Sequence, residues 1–284
     1  MFSDRNKFNF FLVFYFSFFN LLIAQIKEDK LVGPVKYCDE IFDVSLGKTS
    51  PEKITQFDKK GRVTTDVMYK EASLKSIDST IHHYNLLGDT SFCAEFYGKN
   101  DRADSFIDVY DKIGLLLERE FYFETVAEPF DKKKFVYENN LLVSDTEVNE
   151  DAYKKYTEYD YDAAGNRSRM KVTTIYKDYT DSYNFKYESD SAGNDTVQMQ
   201  FGCGHIEDSL KLCETIKRTF NMHGNIVLLI RYDEKGKMVE KYIFQYVYDN
   251  KGNWIKQTES YANYSVKNYP TQRKNVSTRR IEYY

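Results

Sequence analysis

One short unit recurs along this chain: an aromatic residue, then Asp or Asn, two tolerant positions, and a glycine. Phe57-Asp58 leads to Gly61, Tyr84-Asn85 to Gly88, Tyr110-Asp111 to Gly114 and Tyr161-Asp162 to Gly165. Phe220-Asn221 leads to Gly224, Tyr232-Asp233 to Gly236 and Tyr248-Asp249 to Gly252. Asp190 to Gly193 keeps the turn with Ser189 in the aromatic place, and Tyr137-Glu-Asn-Asn140 is a degenerate copy with Asn140 in the glycine place. The first steps between turn positions are 27, 26, 26, 25 and 28 residues, too regular for unrelated turns. The later steps, 31, 12 and 16, loosen the repeat.

The unit reads as a hairpin turn. Asp or Asn at its first position accepts hydrogen bonds from the backbone two residues on. Glycine at the fourth takes a positive φ without a Cβ clash and makes the bulge that returns the chain. The flanks alternate with period two, as strands do. Tyr242, Phe244, Tyr246 and Tyr248 fall on one face and Lys241, Ile243, Gln245 and Val247 on the other. Ile226, Leu228, Ile230 and Tyr232 share a face, as do Tyr183, Phe185 and Tyr187, and Leu115, Leu117, Arg119 and Phe121. A helical period competes only over Lys70 to Ser79. The expected fold is all-β: consecutive antiparallel hairpins stacked into a long twisted or spiralling sheet, with two edges to be covered or charged.

Tyr-Asp-x-x-Gly-Asn with alternating flanks resembles the YD repeat of the RHS (rearrangement hotspot) family, found also in teneurins. Tyr161 to Asn166, Phe220 to Asn225, Tyr232 to Gly236 and Tyr248 to Asn253 carry the likeness, and weaker copies extend it over about residues 50–260. The resemblance implies hairpins in a spiralling sheet and an exported setting. It transfers no catalytic residue. The Gly-x-x-x-Arg-Tyr lead-in of full family repeats is mostly missing, and neither a self-cleavage core nor an appended toxin domain is recognisable.

The N-terminus has the layout of a secretory signal peptide. Arg5 and Lys7 precede an apolar run, Phe10 to Ala24, and the chain turns polar after Gln25. At about 1.5 Å per residue, the run falls short of a ~30 Å hydrocarbon core. Cleavage after Ala24 is expected, leaving no stable membrane span; an uncleaved anchor is the alternative. The expected organisation is a signal peptide at 1–24, an N-terminal cap at 25–51, a hairpin-repeat domain at 52–260 and a C-terminal strand or cap at 261–284. The address is then periplasmic, extracellular or at the cell surface.

Composition narrows the function. The 284 residues include 25 Tyr and 21 Phe, which excludes intrinsic disorder. Acidic residues outnumber basic ones 44 to 40, and without residues 1–24 the net charge moves from −4 to −5. Nucleic acid is not an expected partner. Export permits disulfides among Cys38, Cys93, Cys203 and Cys213. Cys203–Cys213 is preferred because the two flank a short polar loop, leaving Cys38 with Cys93. A metal reading would use Cys203, His205, Cys213 and His223, without supporting C-x-x-C spacing. Asp160, Asp162 and Gly165 imitate a calcium loop, but Lys171 stands where a bidentate Glu is needed. His82 and His83 are adjacent and point to opposite faces of a strand. Neither a metal nor a cofactor is expected, and no nucleophile–base motif stands out.

Trp254, Tyr242 and Tyr246 are the candidate binding residues, since aromatic rings stack on sugars and anchor protein contacts. For Trp254, packing on its own sheet is the competing role. The basic tail residues Arg273, Lys274, Arg279 and Arg280 read as a solvated terminal strand. The expected function is non-enzymatic: an exported binding or scaffolding surface for a protein or glycan at the cell envelope. The alternatives are a carbohydrate-active enzyme with dispersed carboxylates and an accessory or neutralising partner of a toxin-delivery system.

Overall fold

The computed structural model describes residues 31, 33–42, 53–60, 62–69, 77–84, 90–97, 102–122, 129–149, 152–205, 211–265 and 271–284, with backbone alone at 67–69, 77–84, 90–97, 102–104, 203–205 and 271. The expected signal peptide, Gly61 and Gly88 lie outside these residues, as do the side chains of His82, His83, Cys93, Cys203 and His205.

The compact unit from Pro34 to Tyr284 is all-β. Its strands are β1 (Val35–Ile41), β2 (Lys53–Phe57), β3 (Val63–Tyr69), β4 (Ile77–Tyr84), β5 (Thr90–Tyr97) and β6 (Arg102–Tyr110). Then come β7 (Leu116–Tyr122), β8 (Asp131–Glu138), β9 (Leu141–Asn149), β10 (Tyr153–Tyr161), β11 (Arg167–Tyr176) and β12 (Thr180–Ser189). The last six are β13 (Asp195–His205), β14 (Leu212–Phe220), β15 (Ile226–Asp233), β16 (Met238–Tyr248), β17 (Trp254–Asn263) and β18 (Thr271–Tyr283). Each pairs antiparallel with the next, so the stack of consecutive hairpins expected from the turns is present in one sheet. Ile77 to Ser79, at the end of the stretch with helical periodicity, belong to β4.

The sheet differs from the expected one at its ends. β1 pairs with β2 and also with β18, so the ring of pairings closes and neither end strand is left as an edge. Both segments expected as caps enter this seam, 25–51 through β1 and 261–284 through β18. The basic tail is part of it. Arg279 pairs with Glu40 on one face of the sheet at 3.3 Å, Arg280 pairs with Asp39 on the other at 2.7 Å, and Lys36 pairs with Glu282 at 3.0 Å. Complementary charges on both faces thus hold the two ends of the chain in register.

The turns explain the repeat. Asp58, Asp111, Asp162, Asp190, Asn221, Asp233 and Asp249 each accept backbone hydrogen bonds two and four residues on, at 2.8–3.0 Å. Gly114, Gly165, Gly193, Gly224, Gly236 and Gly252 all have φ between +75° and +88°. An L residue pays on the order of 1–2 kcal/mol there. The register shifts at the residue before each turn, for example at Tyr161, Phe220 and Tyr248. The degenerate copy is a different turn: Asn139 and Asn140 both have positive φ, 51° and 64°, and make a two-residue reversal between β8 and β9.

With the strands running alternately up and down, turns that follow even-numbered strands gather at one rim. Asp58, Asp111, Asn139–Asn140, Asp162, Asp190, Asn221 and Asp249 all begin or form such turns. Gly236 alone among the described turn glycines lies on the opposite rim, between β15 and β16. Leaving it out, the step from 224 to 252 is 28 residues, and the repeat persists to the end of the chain. Its period is one up-and-down pair of strands.

Candidate functional site

Alternate side chains of a closed sheet point inward, where they converge, or outward, where they spread apart. The inward face is recognised by burial. Asp131, Asp145, Thr157, Met170, Phe185, Gln198 and Ile216 are buried and fall on one face of the sheet across β8 to β14, where Asp145 is paired with Thr157, Thr157 with Val172, Met170 with Phe185, Phe185 with Gln200, and Gln198 with Ile216. By the same register Tyr242, Phe244, Tyr246 and Tyr248 of β16 line the interior, with Tyr261, Glu259 and Gln257 of β17 beside them.

This lining is not a filled hydrophobic core. Barrels of 16 to 18 strands are wider than their own side chains fill. Among the described residues only nine apolar side chains are buried, and the contiguous cluster is Met170, Val172, Phe185 and Tyr187. Most lining aromatics are half-buried, and their hydroxyls bond to carboxylates, amides or backbone carbonyls. Tyr159 donates to Asp145 at 2.7 Å, Tyr161 to the Leu142 carbonyl at 2.8 Å and Tyr246 to the Ile226 carbonyl at 2.9 Å. The last two staple one hairpin to its neighbour, a second role for the repeated aromatics.

Two polar clusters stand out on the lining. In the first, the Arg231 guanidinium bridges Glu214 and Glu240, at 2.7 Å to each. Burial works against its charge, but the two carboxylates outweigh that and raise its pKa. Tyr242 and Tyr261 donate to Glu240 at 3.3 and 3.2 Å, and their rings meet at 4.7 Å. Phe244 lies parallel to Tyr242 at 6.2 Å. Burial and the neighbouring Glu240 push the Tyr242 hydroxyl up, so it stays a donor.

In the second cluster, Tyr153 lies between Glu147 and Asp131, donating a short hydrogen bond to Glu147 and a longer one, 3.4 Å, to Asp131. Lys133 pairs with Asp145 at 3.1 Å, and Lys155 approaches Glu147 at 3.8 Å. Asp131 is 8% exposed and its Oδ1 has no hydrogen-bond partner among the described residues. Burial, then the charge of Glu147, pushes its carboxyl up to about 6. No sequence motif marks this cluster, because its members come from three strands and meet only through register.

Of the candidate binding residues, Trp254 and Tyr246 come together, with rings 6.3 Å apart, and Tyr242 lies further along the same strand. Trp254 is 6% exposed and covered by the Arg279 guanidinium, 3.5 Å from its ring, so it packs within its own sheet and presents no open stacking face. Cys38 is a buried free thiol, which corrects the expected pairing with Cys93. Burial, then the charge of Glu40, raises its pKa to about 12. The Cys203–Cys213 pairing falls on a side chain outside the described residues. So does the metal reading of Cys203 and His205; its remaining histidine, His223, stacks on Tyr248 at 4.1 Å.

The outward face has different chemistry. Lys134, Lys171 and Lys217 stand on it, exposed, well inside β8, β11 and β14. A lysine facing lipid at mid-membrane costs about 2–4 kcal/mol, and a membrane-spanning barrel carries an apolar outer band there. This outer face has the composition of a surface in water. Among the described residues, no helix is long and apolar enough to cross a membrane.

No family model matches the chain, and no curated protein does. Among solved structures it is similar to a porin-like protein from Bacteroides uniformis, at 8% identity over 89% of this chain and 98% of that one, with a TM-score of 0.47. It is also similar to a porin-like protein from Bacteroides vulgatus, at 11% identity over 88% of this chain and 98% of that one, with a TM-score of 0.32. A third likeness is to the Photorhabdus luminescens Tc holotoxin pore, at 10% identity over 78% of this chain and 16% of that one, with a TM-score of 0.22.

Proposed function

We propose that this chain is an exported, non-enzymatic binding protein that holds a glycan against the lining of its closed sheet. The observation that carries the reading is the row of half-buried aromatics on β16 and β17, interleaved with Glu240, Glu259 and Gln257. A sugar ring has an apolar C–H face and a hydroxyl edge. Half-buried rings serve the first, and carboxylates and amides on the same face serve the second. The N-terminal signal layout supports export, and the repeated hairpin unit keeps the YD-repeat resemblance within this proposal. A glycan array with the mature chain tests it. Binding that weakens at least tenfold in Tyr242→Ala or Phe244→Ala supports the reading; silence on the array, with capture of a protein from envelope extract instead, moves it to a protein ligand.

One observation favours a second reading, a glycan hydrolase. A carboxyl raised to about 6 and linked through Tyr153 to a second carboxylate is the kind of pair that general acid catalysis uses. Turnover of chromogenic glycosides, abolished in Asp131→Asn, would establish it. Export would also allow the Cys203–Cys213 cross-link between the neighbouring strands β13 and β14. Intact mass without reductant, two hydrogens lower than after reduction, is the expected result.

A further inference from the structure

The outward face is uneven. On β7, β8, β10 and β11 its charges answer one another: Lys132 pairs with Glu120 at 2.8 Å, Lys171 with Glu158 at 3.4 Å, and Glu118 faces Lys134 in register. On β14 to β17 they do not. Lys217, Ile230 and Lys241 form one row across three strands, Leu228 and Ile243 form the next, and Val247 faces Lys256. No Asp or Glu occupies an outward position of these four strands, since Glu214, Asp233, Glu240 and Glu259 all turn inward. Ile243 and Val247 are 40% and 52% exposed. This strip lies on a chain whose net charge is negative, so it does not follow from overall composition.

We propose that the outward face of β14 to β17 docks on the surface of an anionic lipid bilayer, lying on the membrane without spanning it. The physical case is charge complementarity joined to interleaving. Each lysine near an anionic surface strengthens binding about fivefold, and aliphatic side chains between the lysines enter the headgroup boundary. An acidic protein is the other occupant such a face could take. Protein interfaces gather apolar groups at a centre and place charge at the rim. Here lysines flank the aliphatic side chains, Lys217 and Lys241 on either side of Ile230 and Lys256 beside Val247, with no separate apolar centre, which suits a fluid, uniformly charged plane better than a fixed partner. The proposal is independent of any ligand bound at the lining.

Co-sedimentation with vesicles decides it, using the mature chain with phosphatidylcholine alone and with phosphatidylcholine–phosphatidylglycerol mixtures. Binding to the anionic vesicles is expected, at least tenfold stronger than to the neutral ones and lost in about 0.5 M salt. The double variant Lys217→Glu/Lys241→Glu should weaken it roughly a hundredfold. Lys134→Glu/Lys171→Glu, on the charge-balanced flank, should leave it unchanged. Far-UV circular dichroism and thermal midpoints confirm that both variants fold. Absence of binding to anionic vesicles, equal binding to both compositions, or equal loss in the two double variants would each overturn the proposal. Capture by immobilised polyglutamate without vesicle binding would overturn it in favour of an acidic protein.

Discussion

The lining and the outward face of this sheet are written in the same alternating strands, yet they obey different rules. Inside, charges are enclosed and shared: Arg231 serves two glutamates, and Asp108 is held by the Arg119 fork at 2.6 and 2.8 Å. Outside, a typical pair such as Lys171–Glu158 leaves its side chains 48% and 66% exposed. Inside, tyrosine hydroxyls have fixed acceptors; outside, Val136 and Val247 are more than half exposed. Period-two alternation sorts residues onto two faces but assigns neither face its environment. Closure between β1 and β18 makes that assignment, because only one side of a ring crowds its side chains.

The sharpest break between the faces should appear on truncation. Ile216 has no exposed surface, whereas Val247, two strands away on the outward face, is 52% exposed. Ile216→Ala should cost about 2–5 kcal/mol by removing buried methylenes and leaving a cavity. Val247→Ala should stay within about 0.5 kcal/mol. Urea unfolding of both variants measures the gap; equal costs would remove the distinction between the faces, and a larger cost for Val247→Ala would mean that they have been assigned the wrong way round.

Much of this could be read in advance, and the unread part has a physical reason. The Asp-x-x-Gly turns and the aromatic face of β16 follow from local chemistry: a carboxylate that caps its own backbone, a glycine at φ near +80°, and side chains that alternate along an extended chain. The seam was not legible. Arg279 and Glu40 are 239 positions apart, and nothing local to either marks the other as its partner. Gly236 misled for a related reason: its turn has the same chemistry as the others but belongs to the opposite rim, which only strand parity reveals. For Trp254 the sequence favoured packing on its own sheet over an open stacking face, but the guanidinium that covers it, Arg279, arrives from the last strand and could not be read locally.

A second break lies in the pH dependence of the lining. Asp131 titrates near 6 when folded and in the ordinary carboxylate range when unfolded. Between those values the folded chain holds the extra proton, so this group stabilises at low pH and its contribution is lost as pH rises from about 4 through about 6. Asp131→Asn keeps the shape without the charge. It should raise stability by roughly 1–3 kcal/mol at pH 7 and change it little at pH 4. Denaturant midpoints at the two pH values test this, and an equal shift at both would show that the carboxyl is not the titrating group.

The smallest expected effect bears most directly on the contrast between enclosed and exposed charge. Lys171 and Glu158 are paired on the outward face, and both remain largely in water. Their attraction is screened by salt and must offset the ordering of two flexible side chains. Lys171→Ala should therefore change stability by no more than about 0.5 kcal/mol, with little further change on adding salt. Arg231→Met, by contrast, strands Glu214 and Glu240 together on the lining, where their side chains are each 16% exposed, and should cost about 1–3 kcal/mol. If Lys171→Ala proved the more costly substitution, the outward face could not be the solvated one, and both the enclosed charge network and the docking strip on β14 to β17 would have to be redrawn.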